Sequence, residues 1–196
     1  MKPVSQFAWS SRVLHWLMAV ALLCMLSIGV SMVTSLDHYQ LLVAIHRPLG
    51  ILILVLAVIR LVNRQLQPLP PFLATMSATE RLIATASERL LYGLMFLLPL
   101  VGWGMLSAAR FPVRLGPIVL PPILPHNVAL YTLLRRSHTV LAYLLFFTFM
   151  AHLSAVLFHT LVLRDGLLGR MLPWSARSRG ADDKFDSSQN RERDSE

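Results

Sequence analysis

Charge is what this sequence has least of. Of its 196 residues only 14% are Asp, Glu, Lys or Arg, against 55% hydrophobic. Soluble domains carry about 25% charged residues. A soluble fold built from this chain could not cover its surface, so a bilayer protein is expected. Cysteine is nearly missing, with Cys24 alone inside an apolar run. That excludes an intrachain disulfide, a CxxC zinc or redox pair and a CxxCH attachment for covalent haem. Neither GxGxxG nor GxxxxGK[ST] occurs, which argues against a soluble nucleotide-binding enzyme. Carboxylates number 10 against 18 Lys and Arg, for a net charge of +8. These cations lie in the gaps between apolar runs, so the membrane surface explains them better than nucleic acid does.

What is present is long apolar sequence. Four stretches could cross a hydrocarbon core of about 30 Å, which takes about 20 helical residues. They are Val13 to Val33, about Leu41 to Val62, about Leu90 to Leu106, and His138 to Leu163. The first exceeds a signal-peptide core and no A-x-A site closes it, so it is read as a retained helix. The expected fold is all-α, a transmembrane four-helix bundle over residues 1–174, followed by a polar, disordered cytoplasmic tail over 175–196. Pro48 and Pro99 are expected to kink or begin their helices. Lys and Arg concentrate on the side holding both termini and the second-to-third loop, which is therefore expected to be cytoplasmic. The loop from Ala108 to Arg136 contains Pro112, Pro117, Pro121, Pro122 and Pro125 among apolar residues. It is expected to lie against the membrane face or to fold over the bundle.

Seven histidines are many for a chain with 10 carboxylates, and four of them fall within the spans. His15 lies near the cytoplasmic end of the first span and His46 near the outer end of the second. His138 is at the outer end of the fourth, with His152 fourteen residues deeper. Fourteen helical residues rise ~21 Å and bring both rings to one broad face. By depth, His46 pairs with His138 and His15 with His152. Each pair offers two neutral nitrogen donors from different helices, a means of holding a haem iron by both axial positions without burying a formal charge. A His-based proton path and another metal are the alternatives. Zinc is expected to bring Cys, Asp or Glu ligands, and the spans are nearly bare of them.

Arg12, Arg47, Arg135 and Arg136 lie within a turn of the paired histidines and are candidate partners for haem carboxylates. Snorkelling explains Arg12 equally well. Arg47, Arg135 and Arg136 run against the positive-inside bias, so an anion is expected on the outer side: propionate, lipid headgroup or substrate. His159 shares the face of His152 two turns further in. It reads as a proton donor or hydrogen-bond partner for a quinone, or as an interfacial His. His38 and His126 are read as surface residues. Trp16, Trp103 and Trp174 are read as interface anchors or packing. Gly29, Gly50, Gly93, Gly102 and Gly104, with Ala142 and Ala155, are candidates for close approach of helices or of a porphyrin plane.

Several segments together resemble the bacterial cytochrome b561 family, small four-helix dihaem cytochromes related to the cytochrome b subunits of nickel-iron hydrogenases. They are Arg12 to Trp16, Ile45 to Gly50 running on to Val58-Ile59-Arg60, Leu91-Tyr92 and Leu98 to Gly102. In the fourth span they are Ser137-His138 through His152 to His159, then Arg164-Asp165-Gly166 and Arg170 to Pro173. The resemblance implies two haems b, one on His15 and His152, the other on His46 and His138. It implies electron transfer between a donor and the quinone pool in the bacterial inner membrane. One branch is similar to a superoxide oxidase that reduces ubiquinone. In that setting Arg47, Arg135 and Arg136 are expected to attract the superoxide anion. The alternatives are an electron-transfer subunit docked to a periplasmic redox protein, and a haem-free structural or transport bundle. Where many members have a third-helix His this chain has Glu88, expected to handle a proton or pair with Arg89. Ser137 replaces a frequent Trp, and the Pro-rich stretch from Arg114 to Pro125 replaces a polar loop.

Overall fold

The computed structural model describes residues 6–35, 37–73 and 75–172. Lys2, Trp174 and the 175–196 tail lie outside the described residues. Four helices, α1 (Trp9–Thr34), α2 (Tyr39–Leu66), α3 (Ala78–Ala108) and α4 (Val128–Phe158), are each long and apolar enough to cross a membrane. Serines and threonines inside them return their hydroxyls to their own helix. Ser27 donates to the Leu23 carbonyl, Ser31 to Ser27 and Thr148 to Leu144. This satisfies polar groups that lipid cannot.

α3 and α4 begin well before the apolar stretches that announce them, because caps and not hydropathy set their starts. α3 begins at a capping box, in which Ser77 Oγ accepts the Glu80 N–H and the Glu80 carboxylate accepts the Ser77 N–H. α4 begins at Asn127, whose side chain accepts the Leu130 N–H. Residues 128–136, expected in the loop, are therefore helical, and Arg135 and Arg136 sit on α4. Pro48 and Pro99 neither begin nor end α2 and α3, which run through them.

α1 packs on α2, α2 on α3 and α3 on α4, whereas α4 makes little backbone approach to α1 or α2. The core is one apolar layer at mid-depth, formed by Met18 and Leu22 of α1, Ile53 and Ala57 of α2, Leu94 and Leu98 of α3 and Leu145 of α4. Elsewhere the surface is apolar. Leu17, Val20, Val140 and Phe147 are each more than half exposed, as suits side chains solvated by lipid.

At one end, the hairpin end, α3 closes with Arg110 in the left-handed region (φ 59°). The Phe111 N–H reaches back to Leu106 and the Arg110 N–H to Ser107. Two short antiparallel strands follow, β1 (Val113–Leu115) and β2 (Ile118–Leu120). Gly116 at φ 60° before Pro117 makes the tight turn between them. Val113 is buried and β1 touches α2. The Trp103 indole donates to the Pro121 carbonyl, and Ser107 Oγ accepts the Ile123 N–H. The loop thus folds back on the end of the bundle, as one of its two expectations has it.

At the opposite end, the terminus end, the chain after α4 passes through a π-helical turn (His159–Leu163) and a 3₁₀ turn (Leu168–Arg170). It then doubles back under α1. The Phe7 N–H donates to Arg170, the Arg12 guanidinium to Leu172 and the Trp16 indole to Met171.

Candidate functional site

The histidines meet in the pairs that their depths imply. His15 of α1 faces His152 of α4 with ring centres 6.4 Å apart and planes at 63°. His46 of α2 faces His138 of α4 at 6.2 Å and 66°. The apolar layer of Leu22, Ile53, Leu94 and Leu145 lies between the two pairs. α4 stands away from α1 and α2 as a backbone, so these rings reach across a gap the helices do not close.

The spacing discriminates among the chemistries. Two imidazoles on opposite sides of one first-row metal, each bonded at about 2.0–2.1 Å, place their ring centres about 6 Å apart. The same separation keeps the nitrogens of a pair beyond direct hydrogen-bonding distance, which removes a bare His-to-His proton relay. No three His, Cys, Asp or Glu side chains converge among the described residues, so neither pair belongs to a larger protein-ligand cluster. The Nδ1 atoms of His15 and His46 are buried with no hydrogen-bond partner among the described residues. That of His138 has none of good geometry, although the Leu98 carbonyl lies in its vicinity. Buried polar nitrogens normally find partners. The residues present fit haem, because each pair offers imidazoles from two helices at the separation that one iron between them requires.

Gly102 supplies the space. A Cβ there would stand 3.4 Å from His138 Cε1 and 3.6 Å from its Nδ1. Gly104 likewise admits Leu124, which would come within 2.9 Å of an added Cβ, and Gly50 is near Met25. No protein atom among the described residues lies within 4 Å of a Cβ added at Gly29 or Gly93, so no helix approaches closely at either. Ala142 packs against the core layer.

The cations divide. Arg47 is half-buried on α2, next to His46 in sequence. Arg135 and Arg136 are exposed on α4, with Arg135 Nη1 donating to the Tyr131 hydroxyl at 3.0 Å. Arg12 is bound to the Leu172 carbonyl at 2.8 Å, and it fastens the chain after α4 to α1. His159 is 8% exposed, and its Nδ1 donates to Asp165 Oδ2 at 2.5 Å. That turns it into the π-helical turn and away from the open interfacial position. Glu88 pairs with Arg64 of α2 and not with Arg89. Arg64 is one helix away and on the facing side, whereas a sequence neighbour points elsewhere on the helix. His126 is exposed as expected, but its Nδ1 bonds the Ala108 carbonyl and helps hold the hairpin. Trp16 stands edge-on to His15 at 6.1 Å.

Arg60 entered the sequence analysis only as the end of the Val58-Ile59-Arg60 segment and was given no role there. Its Nε donates to the Tyr92 hydroxyl of α3 at 2.9 Å. The signal was available, since Arg60 falls inside the apolar stretch from Leu41 to Val62 and an ionisable residue within a span is a functional candidate by default.

The chain is 29% identical over 174 residues to "Cytochrome b561 homolog 2" of Escherichia coli K12, covering 87% of this chain and 93% of that protein. It is 27% identical over 161 residues to "Probable superoxide oxidase CybB" of Yersinia pestis, covering 82% and 92%. The family model of prokaryotic cytochrome b561 matches residues 6–174. With two imidazole pairs on either side of an apolar layer in a four-helix membrane bundle, the chain belongs to the prokaryotic cytochrome b561 family, whose members are haem b proteins of the membrane.

Proposed function

We propose that this protein is a dihaem cytochrome of the bacterial inner membrane that passes electrons from a donor at the hairpin end to ubiquinone. The observation that carries the reading is the presence of two imidazole pairs, at 6.2 and 6.4 Å, at two depths of one bundle. His15 and His152 hold one haem and His46 and His138 the other. When bound, the two groups supply one-electron acceptance near each face. The protein's part is to fix their separation, keep water out through the apolar layer and set the charge around each. Both termini are assigned to the cytoplasm by the excess of Lys and Arg at that end.

The donor favoured is superoxide. The name of the Yersinia relative supports this, and so does charge. No Asp or Glu occurs between Arg89 and Arg164, and Asp37 is the acid at the hairpin end. Arg47, Arg135 and Arg136 therefore act there against little opposing charge and draw in a small anion. Each superoxide gives up one electron and leaves as dioxygen. Two such oxidations balance one quinone, which also takes up two protons. His159 is the residue assigned to deliver one. Asp165 holds its Nδ1, and Nε2 is the nitrogen assigned to a quinone oxygen. Arg12, bound to the Leu172 carbonyl, is retained as a candidate partner for a haem carboxylate. A second reading, an electron-transfer subunit for a partner redox protein, is favoured by the exposed apolar edge of Ile118 and Val119 on the hairpin.

The test is rapid mixing of the purified protein with superoxide at low and high salt. Fast reduction that slows with ionic strength is the expected result, with the rate falling about tenfold or more in an Arg135→Gln/Arg136→Gln double variant of unchanged haem spectrum. Reduction that occurs only when a partner protein is added favours the second reading.

A further inference from the structure

Arg60 and Arg64 occupy successive turns of α2, and their guanidinium carbons lie 5.7 and 5.9 Å from the same Tyr92 ring. They are compensated differently. Arg64 has the Glu88 carboxylate. Arg60, half-buried, has a phenol, and no carboxylate lies within ion-pair distance of it among the described residues. A cation inside a bundle without an anion is costly. The depth of Arg60 is fixed by a neighbouring contact. One turn nearer the terminus end, Asn63 Nδ2 donates to Ser11 Oγ, and Asn63 Oδ1 accepts from Ser10 Oγ. Arg60 therefore stands level with the turn of α1 that carries His15. The Nε of Arg60 is used by Tyr92, which leaves the terminal nitrogens. Tyr92 accepts through its oxygen and keeps its own proton to donate.

We infer that Arg60 and Tyr92 form a carboxylate-binding site beside the His15–His152 pair, that its occupant is a propionate of the haem on that pair, and that Arg60 raises the reduction potential of this haem. The inference rests on the haem reading above. A fixed cation near a redox centre favours the form that has gained an electron, and net charge is among the levers that set haem potentials. The consequence is directional, because an electron arriving at the hairpin end is drawn toward the end where His159 lies.

The test is a potentiometric titration of the purified, quinone-free protein, with haem content read as the pyridine haemochrome, for wild type, Arg60→Gln, Arg60→Lys and Tyr92→Phe. Wild type is expected to show two haems and two separable waves. In Arg60→Gln one wave moves to lower potential and the other stays. Arg60→Lys restores most of the position of that wave, and Tyr92→Phe shifts the same wave by less. Omitting quinone leaves the haem's own carboxylates as the available anion. Two unmoved waves in both Arg60→Gln and Tyr92→Phe overturn the inference. So does an Arg60→Lys variant that behaves like Arg60→Gln. If Arg60→Gln does not fold, the lysine and phenylalanine variants carry the same comparison. A colourless wild type instead sinks the haem reading itself and is distinguishable at the first measurement.

Discussion

Gly102 is the residue on which the hairpin-end pair depends most simply. A methyl group added there meets the His138 ring at a distance that a slight shift can absorb, whereas a branched side chain displaces the ring. Gly102→Val is expected to lower haem content to roughly half of wild type per protein, the His15–His152 site surviving, and Gly102→Ala to keep nearly all of it. Gly93 is the contrast, because no protein atom among the described residues lies within 4 Å of an added Cβ, and Gly93→Ala is expected to leave the packing of the helices unchanged. Equal haem content in Gly102→Val and wild type refutes the assignment. In sequence these two glycines look alike, since each is a small residue in an apolar helix. Only the partner that approaches tells them apart.

Among the elements, the π-helical turn after α4 was the least legible. It lets His159 bond to Asp165, and Asp165 also accepts the Leu167 N–H through Oδ1. Burial alone pushes the Asp165 carboxyl up, but these hydrogen bonds outweigh it and hold the group below its ordinary value, about 3.9. A carboxyl lowered in the folded state contributes stability that is complete above the ordinary value and is lost as pH falls through the folded one. The cap at the terminus end is therefore expected to keep this contribution from pH 5 to 8 and to lose it below about pH 4. Asp165→Asn is expected to cost about 1.5–3 kcal/mol at pH 7 and to flatten that acid limb. Thermal melting in detergent across pH checks both, and an unchanged acid limb counts against the pairing. The sequence shows His159 and Asp165 six residues apart. In a straight α-helix that spacing puts them on different faces, so their contact required the irregular turn.

For the whole molecule, the two pairs sit on α4 at positions fourteen residues apart and take their partners from different helices. His15→Ala is expected to remove the terminus-end haem and leave the other, and His138→Ala to do the reverse. Spectra with quantified haem check this, and loss of both haems in each variant, with the fold retained by circular dichroism, points to a single shared site. The two sites are expected to be separable because the apolar layer of Met18, Leu22, Ile53, Ala57, Leu94 and Leu145 between them packs without either histidine.

The spans, their number and the depths of the four histidines were determined by the sequence alone. Apolar length and helical rise are local properties, and a buried neutral nitrogen in a span is conspicuous. The starts of α3 and α4 are set by the Ser77 and Asn127 caps, which hydropathy does not report. The pairing of Glu88 with Arg64, the approach of Gly102 to His138 and the placing of Arg60 beside the His15–His152 pair were decided only by tertiary structure. Each joins side chains on different helices, and the rotation of one helix against another is set by packing across the whole bundle rather than by the pattern along either one.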